Sequence, residues 1–266
     1  MNIFFHELQA YRKSTIIWIV TLSTLAVVFL SMFPAFTKDV DTAQKILAHL
    51  PQAVRAALDI SLKNFFTVYG FFAYLFTFVS LAGAVQAMNL GVGLISKEDS
   101  GKTADFSLTK PISRAQVITS KLFAAVCLLV VTNAVFSLVA VFVARTVVVG
   151  HFSAKTFLLI SSILLFIQMM FLAIGFLMSV TIPKIKSVIS VTLPTVFTFF
   201  IIGTLGAILG NDKVRYITPF KFYDPNYVMA HGTYELKFLV LELLLLTVAI
   251  IVTYIVYIRK DIRAAS

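Results

Sequence analysis

Six long apolar runs separated by short polar stretches constrain this chain more than any other feature. A helix needs about 20 apolar residues to cross a bilayer, because it rises 1.5 Å per residue against a hydrocarbon core of about 30 Å. The runs fall at about 15–36, 65–94, 117–144, 157–182, 188–209 and 236–258. The bilayer core has no water to satisfy backbone polar groups, so each run must close its hydrogen bonds internally. The fold class that follows is an all-α polytopic membrane protein with six transmembrane helices. Of the 266 residues, 59% are hydrophobic and 13% charged. Soluble domains carry about 25% charged residues, so one transmembrane domain spanning 1–266 leaves little chain for a separate soluble domain.

The net charge of +10 does not point to nucleic acid, because the basic residues flank the apolar runs, where they meet anionic headgroups and set topology. They divide almost evenly between the two sides. The pairs Arg12-Lys13 before the first span and Arg259-Lys260 after the last favour cytoplasmic termini. The expected location is the bacterial plasma membrane, multi-pass. The first span lacks a small-residue cleavage signature and is read as a retained helix. Cys127, the single cysteine, lies within an apolar run and reads as a small buried hydrophobe.

Between the spans, residues 1–14 place Phe4, Leu8 and Tyr11 opposite His6, Gln9 and Lys13, the pattern of a helix lying in the membrane interface. Residues 37–64 carry apolar positions at helical spacing around Pro51, which predicts one or two surface amphipathic helices. Residues 210–235, polar but rich in aromatics, form an extracellular or re-entrant segment before span six.

Catalysis has little to work with. Gly101-Lys-Thr103 imitates a phosphate loop, but the glycine that such a loop needs five residues earlier is Ser96. The four histidines are scattered over loops without zinc spacing, so no metal or cofactor site is expected on this chain. Polar residues within spans carry more weight, since ionisable groups there are costly. Glu242 is acidic and lies about a turn and a half into the last span; it can bind a proton or cation, but solvation or pairing with Lys237 is the favoured reading. Gln86, Asn89, Asn133 and Gln168 can line a pathway, and hydrogen bonding between helices explains them equally well.

One stretch between spans is different in kind. From Lys97 to Lys121 there are eight charged residues, Lys97, Glu98, Asp99, Lys102, Asp105, Lys110, Arg114 and Lys121. Phe106, Leu108 and Ile112 sit among them, which a merely solvated loop does not need. Pro111 and Ser113 suit a helix start leading into span three. A short amphipathic element of this kind docks onto a partner. Glu98, Gly101, Thr103, Leu108, Lys110-Pro111, Ser113-Arg114 and Lys121 together resemble the signature between spans two and three of ABC-2 type transporter permeases, with Lys102 inserted between Gly101 and Thr103. The aromatic segment Tyr216 to Pro225 is similar to one that these permeases carry before span six.

The resemblance implies a non-catalytic subunit of an ABC exporter. Two permease subunits, identical or paralogous, pair with two cytosolic ATPase subunits that hold ATP and magnesium, and 97–114 becomes the coupling helix seated on the ATPase. Glu98, Gly101, Thr103, Leu108, Pro111, Ser113, Arg114 and Lys121 are then the coupling residues. Spans two and five are placed near the dimer interface, which makes Gln86, Asn89, Thr195, Thr198 and Thr204 candidates for the pathway of a hydrophobic or amphipathic substrate, such as an antimicrobial or cytolytic peptide, a drug or a lipid-linked molecule. Re-entrant helices before span six form an outer gate, with breaks at Gly206, Gly210 and Pro219. Two other classes compete: an ion-coupled secondary transporter using Glu242, and a non-transporting peptide-sensing or immunity subunit. An intramembrane enzyme ranks last, for want of paired acid and base groups.

Overall fold

The computed structural model describes residues 3–100, 113–148 and 152–259, the side chains of 98–100 excepted. In chain order the helices are α1 (Ile3–Thr37), α2 (Val40–His49), α3 (Gln52–Ala57), α4 (Val68–Ser100), α5 (Arg114–Val147), α6 (Ala154–Thr181), α7 (Val188–Leu209), α8 (Pro225–His231) and α9 (Leu236–Arg259). Two 3-10 turns, Asp212–Tyr216 and Pro219–Lys221, lie between α7 and α8. Six helices, α1, α4, α5, α6, α7 and α9, are long and apolar enough to cross a membrane.

The expected spans match these helices to within a few residues, and 188–209 coincides with α7. The first differs in kind. Residues read as an interfacial helix form one continuous helix with the first span, because nothing between Ile3 and Phe33 breaks a helix and proline first appears at Pro34. At 35 residues α1 is roughly 52 Å long, well beyond a hydrocarbon core of about 30 Å.

Helices α4 and α6 form the centre of the bundle, with α1 lying along α5, α9 against α6, and α7 against α4 and α3. Lipid tails are as apolar as leucine, so helices in a membrane associate through close packing and polar contacts rather than hydrophobic exclusion. Both devices hold α4 to α6. A Cβ at Gly91 would stand 2.6 Å from the Leu172 carbonyl oxygen, and one at Gly175 would stand 2.9 Å from that of Met88. Only glycine permits the two backbones this approach. Nearer the start of α4, Phe72 stacks on Phe157 of α6 with ring centroids 4.1 Å apart. Phe33 and Phe36 of α1 meet Phe71, a set of aromatic pairs each worth about 0.5–1.5 kcal/mol beyond area burial.

The chain alternates direction through the bundle. The start of α1, the end of α4, the start of α5 and the end of α9 meet at one end, called the island end below. The opposite end is covered by the segment after α7, called the cap. Faces turned away from the bundle are apolar, with Leu193, Ile201 and Leu205 on α7 and Val240, Leu244 and Val248 on α9 all exposed. Apolar surface on this scale belongs against hydrocarbon or another protein surface.

Replacing Gly91 with leucine forces α4 off α6 and is expected to cost at least about 1–3 kcal/mol, read as a lower thermal unfolding midpoint in detergent. Gly210 is the contrast: its φ is +63° but nothing lies within 4 Å of an added Cβ. Asparagine tolerates that left-handed conformation, so Gly210→Asn leaves the midpoint nearly unchanged.

Candidate functional site

At the island end the sequence builds a joint. Ser113 caps α5 through a reciprocal capping box: its hydroxyl accepts from the Gln116 amide at 3.3 Å, and its own amide donates to Gln116 Oε1 at 3.1 Å. This fixes where the polar stretch stops and α5 begins, as the sequence predicts. One turn later Thr119 hydrogen-bonds Tyr254 of α9 at 2.8 Å, and Arg114 donates to the Ile258 carbonyl at 3.3 Å.

Lys121 lies deeper. It is buried, donates to the Leu94 carbonyl of α4, and stands 3.7 Å from the Glu7 carboxylate of α1. Lys97, near the end of α4, places its ammonium 4.2 Å from the centroid of the Tyr11 ring of α1. The two helices that flank the polar stretch are therefore held to each other and to the N-terminal helix. Burying an ammonium is expensive unless it is paired and hydrogen-bonded, and Lys121 is both. Glu98 lies in the last turn of α4, while Gly101, Thr103, Leu108 and Pro111 lie outside the described residues.

In the middle of the bundle four polar side chains form one network. Gln86 of α4 donates to Thr132 of α5 at 3.1 Å, and Gln168 of α6 donates to Gln86 Oε1 at 3.1 Å and to the Gly83 carbonyl at 3.3 Å. Asn133 of α5 donates to Gln168 Oε1 and to the Leu129 carbonyl. All four are buried. Gln86 thus faces neighbours within its own bundle, in the interhelical role weighed for it from sequence. Of the other pathway candidates, Asn89 is half-buried with its Oδ1 unpartnered, Thr195 bonds back to the Val191 carbonyl at 2.8 Å, and Thr198 is exposed. Thr204 lines the cavity described next.

At the opposite end the cap lies over α7. Gly206 makes room for Val214, and the Thr218 hydroxyl donates to the Phe199 carbonyl at 2.8 Å. Of the expected breaks, Gly210 ends α7 in the left-handed conformation and Pro219 opens the second 3-10 turn, whereas Gly206 stays inside α7 as a contact surface. Lys221 binds both oxygens of Asp59 at 2.6 Å, which ties the cap to the segment before α4. Arg215 pairs with Glu235, and Lys237 stands 3.0 Å from the same carboxylate. Burial pushes the Glu235 carboxyl up, but hydrogen bonds from Arg215 and Lys237 outweigh it and hold the group below its usual range. Glu242 departs from expectation. Lys237 is taken by Glu235, and Glu242 is buried and accepts from the Tyr223 hydroxyl in the cap. Its burial could not be read from the sequence, because the partner lies 19 residues away in a segment with no regular period. Beneath the cap is a cavity of about 300 Å³, bounded by α4, α6, α7 and the cap itself.

The sequence pattern described as "ABC-2 family transporter protein" matches residues 1–262. The chain belongs to the ABC-2 transporter family. Comparison with curated proteins returns no match. Membership makes this multi-pass membrane protein a permease of an ABC transporter, generally a non-catalytic membrane subunit, and implies association with ABC ATPase subunits. In the permease the polar stretch between the second and third spans is framed by the joint of Glu7, Leu94, Arg114 and Lys121.

If Glu7 and Lys121 act as a pair, Lys121→Met and Glu7→Gln each destabilise the permease by about 1–3 kcal/mol, and the double variant loses less than their sum. Thermal unfolding of the three variants measures this, and additive losses mean that the pair is not coupled. For Glu235 the folded value lies below the unfolded one, so its contribution is complete above the ordinary carboxylate range and disappears as pH falls through the lowered folded value. Unfolding midpoints followed from pH 7 downward should therefore fall more steeply for the natural protein than for Glu235→Gln.

Proposed function

We propose that this chain is the permease subunit of an ATP-driven exporter. With a second permease subunit, identical or paralogous, it forms the pathway for a hydrophobic or amphipathic substrate, and two separate ATPase subunits holding ATP and magnesium drive it from the cytoplasmic side. The island end is then cytoplasmic, and residues 97–114 form the element that the ATPase grips. Glu98, Gly101, Thr103, Leu108, Pro111, Ser113 and Arg114 provide that contact, and Lys121 carries it into the bundle.

The observation that carries this reading is the buried Lys121, which joins α4, α5 and α1 just behind the polar stretch. A solvated loop needs no such joint. A loop that receives force does, because the force must reach helices rather than dissipate in the loop. The cap and its cavity occupy the opposite end, where an exporter releases cargo.

Reconstitution with the ABC ATPase subunits of the same transporter tests the reading. Co-purification and stimulated ATP hydrolysis are expected. Arg114→Ala combined with Glu98→Ala should lower the stimulated rate roughly tenfold, the effect of losing about 1.4 kcal/mol of contact, while leaving the permease folded. A permease that forms no complex, or a double variant that stimulates normally, rejects the coupling role.

A further inference from the structure

The cavity beneath the cap is of a size that suits a small ligand, for which pockets begin at about 300 Å³. Its wall has two characters. Phe76 of α4, Ile163 and Ile167 of α6 and Phe200 of α7 line it on the bundle side, with the neutral hydroxyls of Thr77, Ser80 and Thr204 between them. Asp59, Asp212, Arg215, Lys221 and Asp224 line it on the cap side. A site divided in this way accepts an amphiphile with its apolar body inward.

The sign of the polar end follows from which charges are already spent. Lys221 is matched by Asp59, with both carboxylate oxygens at 2.6 Å. Arg215 is matched by Glu235, donates to the carbonyls of Lys221 and Phe222, and lies over the Phe238 ring. Both cations are compensated and held in place. Asp212 makes no ion pair among the described residues. Asp224 uses Oδ1 alone, to cap α8 and bind the Asn226 amide side chain. Two carboxylates therefore line the cavity without a cation. Phe220 and Tyr223 add aromatic faces to the same wall, which also favour positive charge.

We propose that this cavity binds an amphiphilic organic cation, with its lipophilic body against Phe76, Ile163, Ile167 and Phe200 and its charge beside Asp212 and Asp224. An anionic amphiphile would have to break the Lys221–Asp59 or Arg215–Glu235 pair to find a counter-charge. Binding depends only on the cavity; that the bound cation is cargo rests on the exporter reading above.

The test uses the full-length protein in nanodiscs of zwitterionic lipid and equilibrium dialysis of radiolabelled tetraphenylphosphonium, with empty discs subtracted for partitioning. The isosteric anion tetraphenylborate is the comparison. Saturable cation binding is expected, displaced by unlabelled cation and not by the anion. Asp212→Asn with Asp224→Asn, which keeps a capping oxygen for α8, should weaken it at least roughly tenfold. Ala207→Phe, which fills the cavity from α7, should abolish it, with unfolding midpoints verifying that each variant folds. No saturable component, equal saturable binding of the anion, or binding unchanged in the double carboxamide variant overturns the proposal. If the cation fails to bind while the ATPase is still stimulated, the cavity proposal fails alone. If it binds and no ATPase is stimulated, the exporter reading fails alone.

Discussion

Everything in this bundle depends on the backbone approach of α4 to α6 at Gly91 and Gly175. In water an apolar helix pair gains from excluding solvent, but in a bilayer the neighbouring lipid offers the same hydrocarbon. Contact must therefore be closer than lipid can make it, and small residues are the means. Where the helices diverge from this crossing, the work passes to Gln86 and Gln168 and then to Phe72 stacked on Phe157. Helices α5 and α7 lean on this pair, and α1 reaches it through α5 and through the aromatic contacts of Phe33 and Phe36.

The two ends of the bundle use charge differently. At the island end the ammonium of Lys121 is buried, so its value lies in geometry: a buried pair gains little net stability, but it admits few arrangements of the helices that supply its partners. At the cap end the Lys221–Asp59 and Arg215–Glu235 pairs are partly solvated. Such pairs cost less to break, which suits a segment that covers a cavity rather than one that holds a frame.

The spans were legible because length and apolarity alone define them, and the bilayer excludes the alternatives. Ser113 as a helix start was legible for a local reason, since capping depends on residues three apart. Lys121 was legible as part of a motif, but its burial and its partner Glu7 were not, because the contact joins residues 114 positions apart in sequence and no periodicity encodes it. Glu242 shows the same limit. Sequence offered the neighbouring Lys237 as its partner, yet Lys237 is captured by Glu235, closer still, and Glu242 is left to Tyr223. The amphipathic pattern of residues 1–14 reports which face is wet; it does not report where a helix ends, and α1 runs on from it into the first span.

If force enters at the polar stretch, the geometry of α4 decides where it arrives. From Leu94, where Lys121 binds, to Phe76, which lines the cavity, α4 runs without proline for roughly 27 Å. No proline interrupts the hydrogen-bond ladder of this stretch, which lies within one α-helix. Helix α7, by contrast, carries Pro194, and α1 carries Pro34. Because α4 is also packed closely on α6 at Gly91, a tilt imposed at the island end would be shared by α4 and α6. The cavity wall is formed by all three helices. A shift of α4 and α6 against α7 would change its shape while keeping the Gln86–Gln168 hydrogen bond, which joins the two helices that move together.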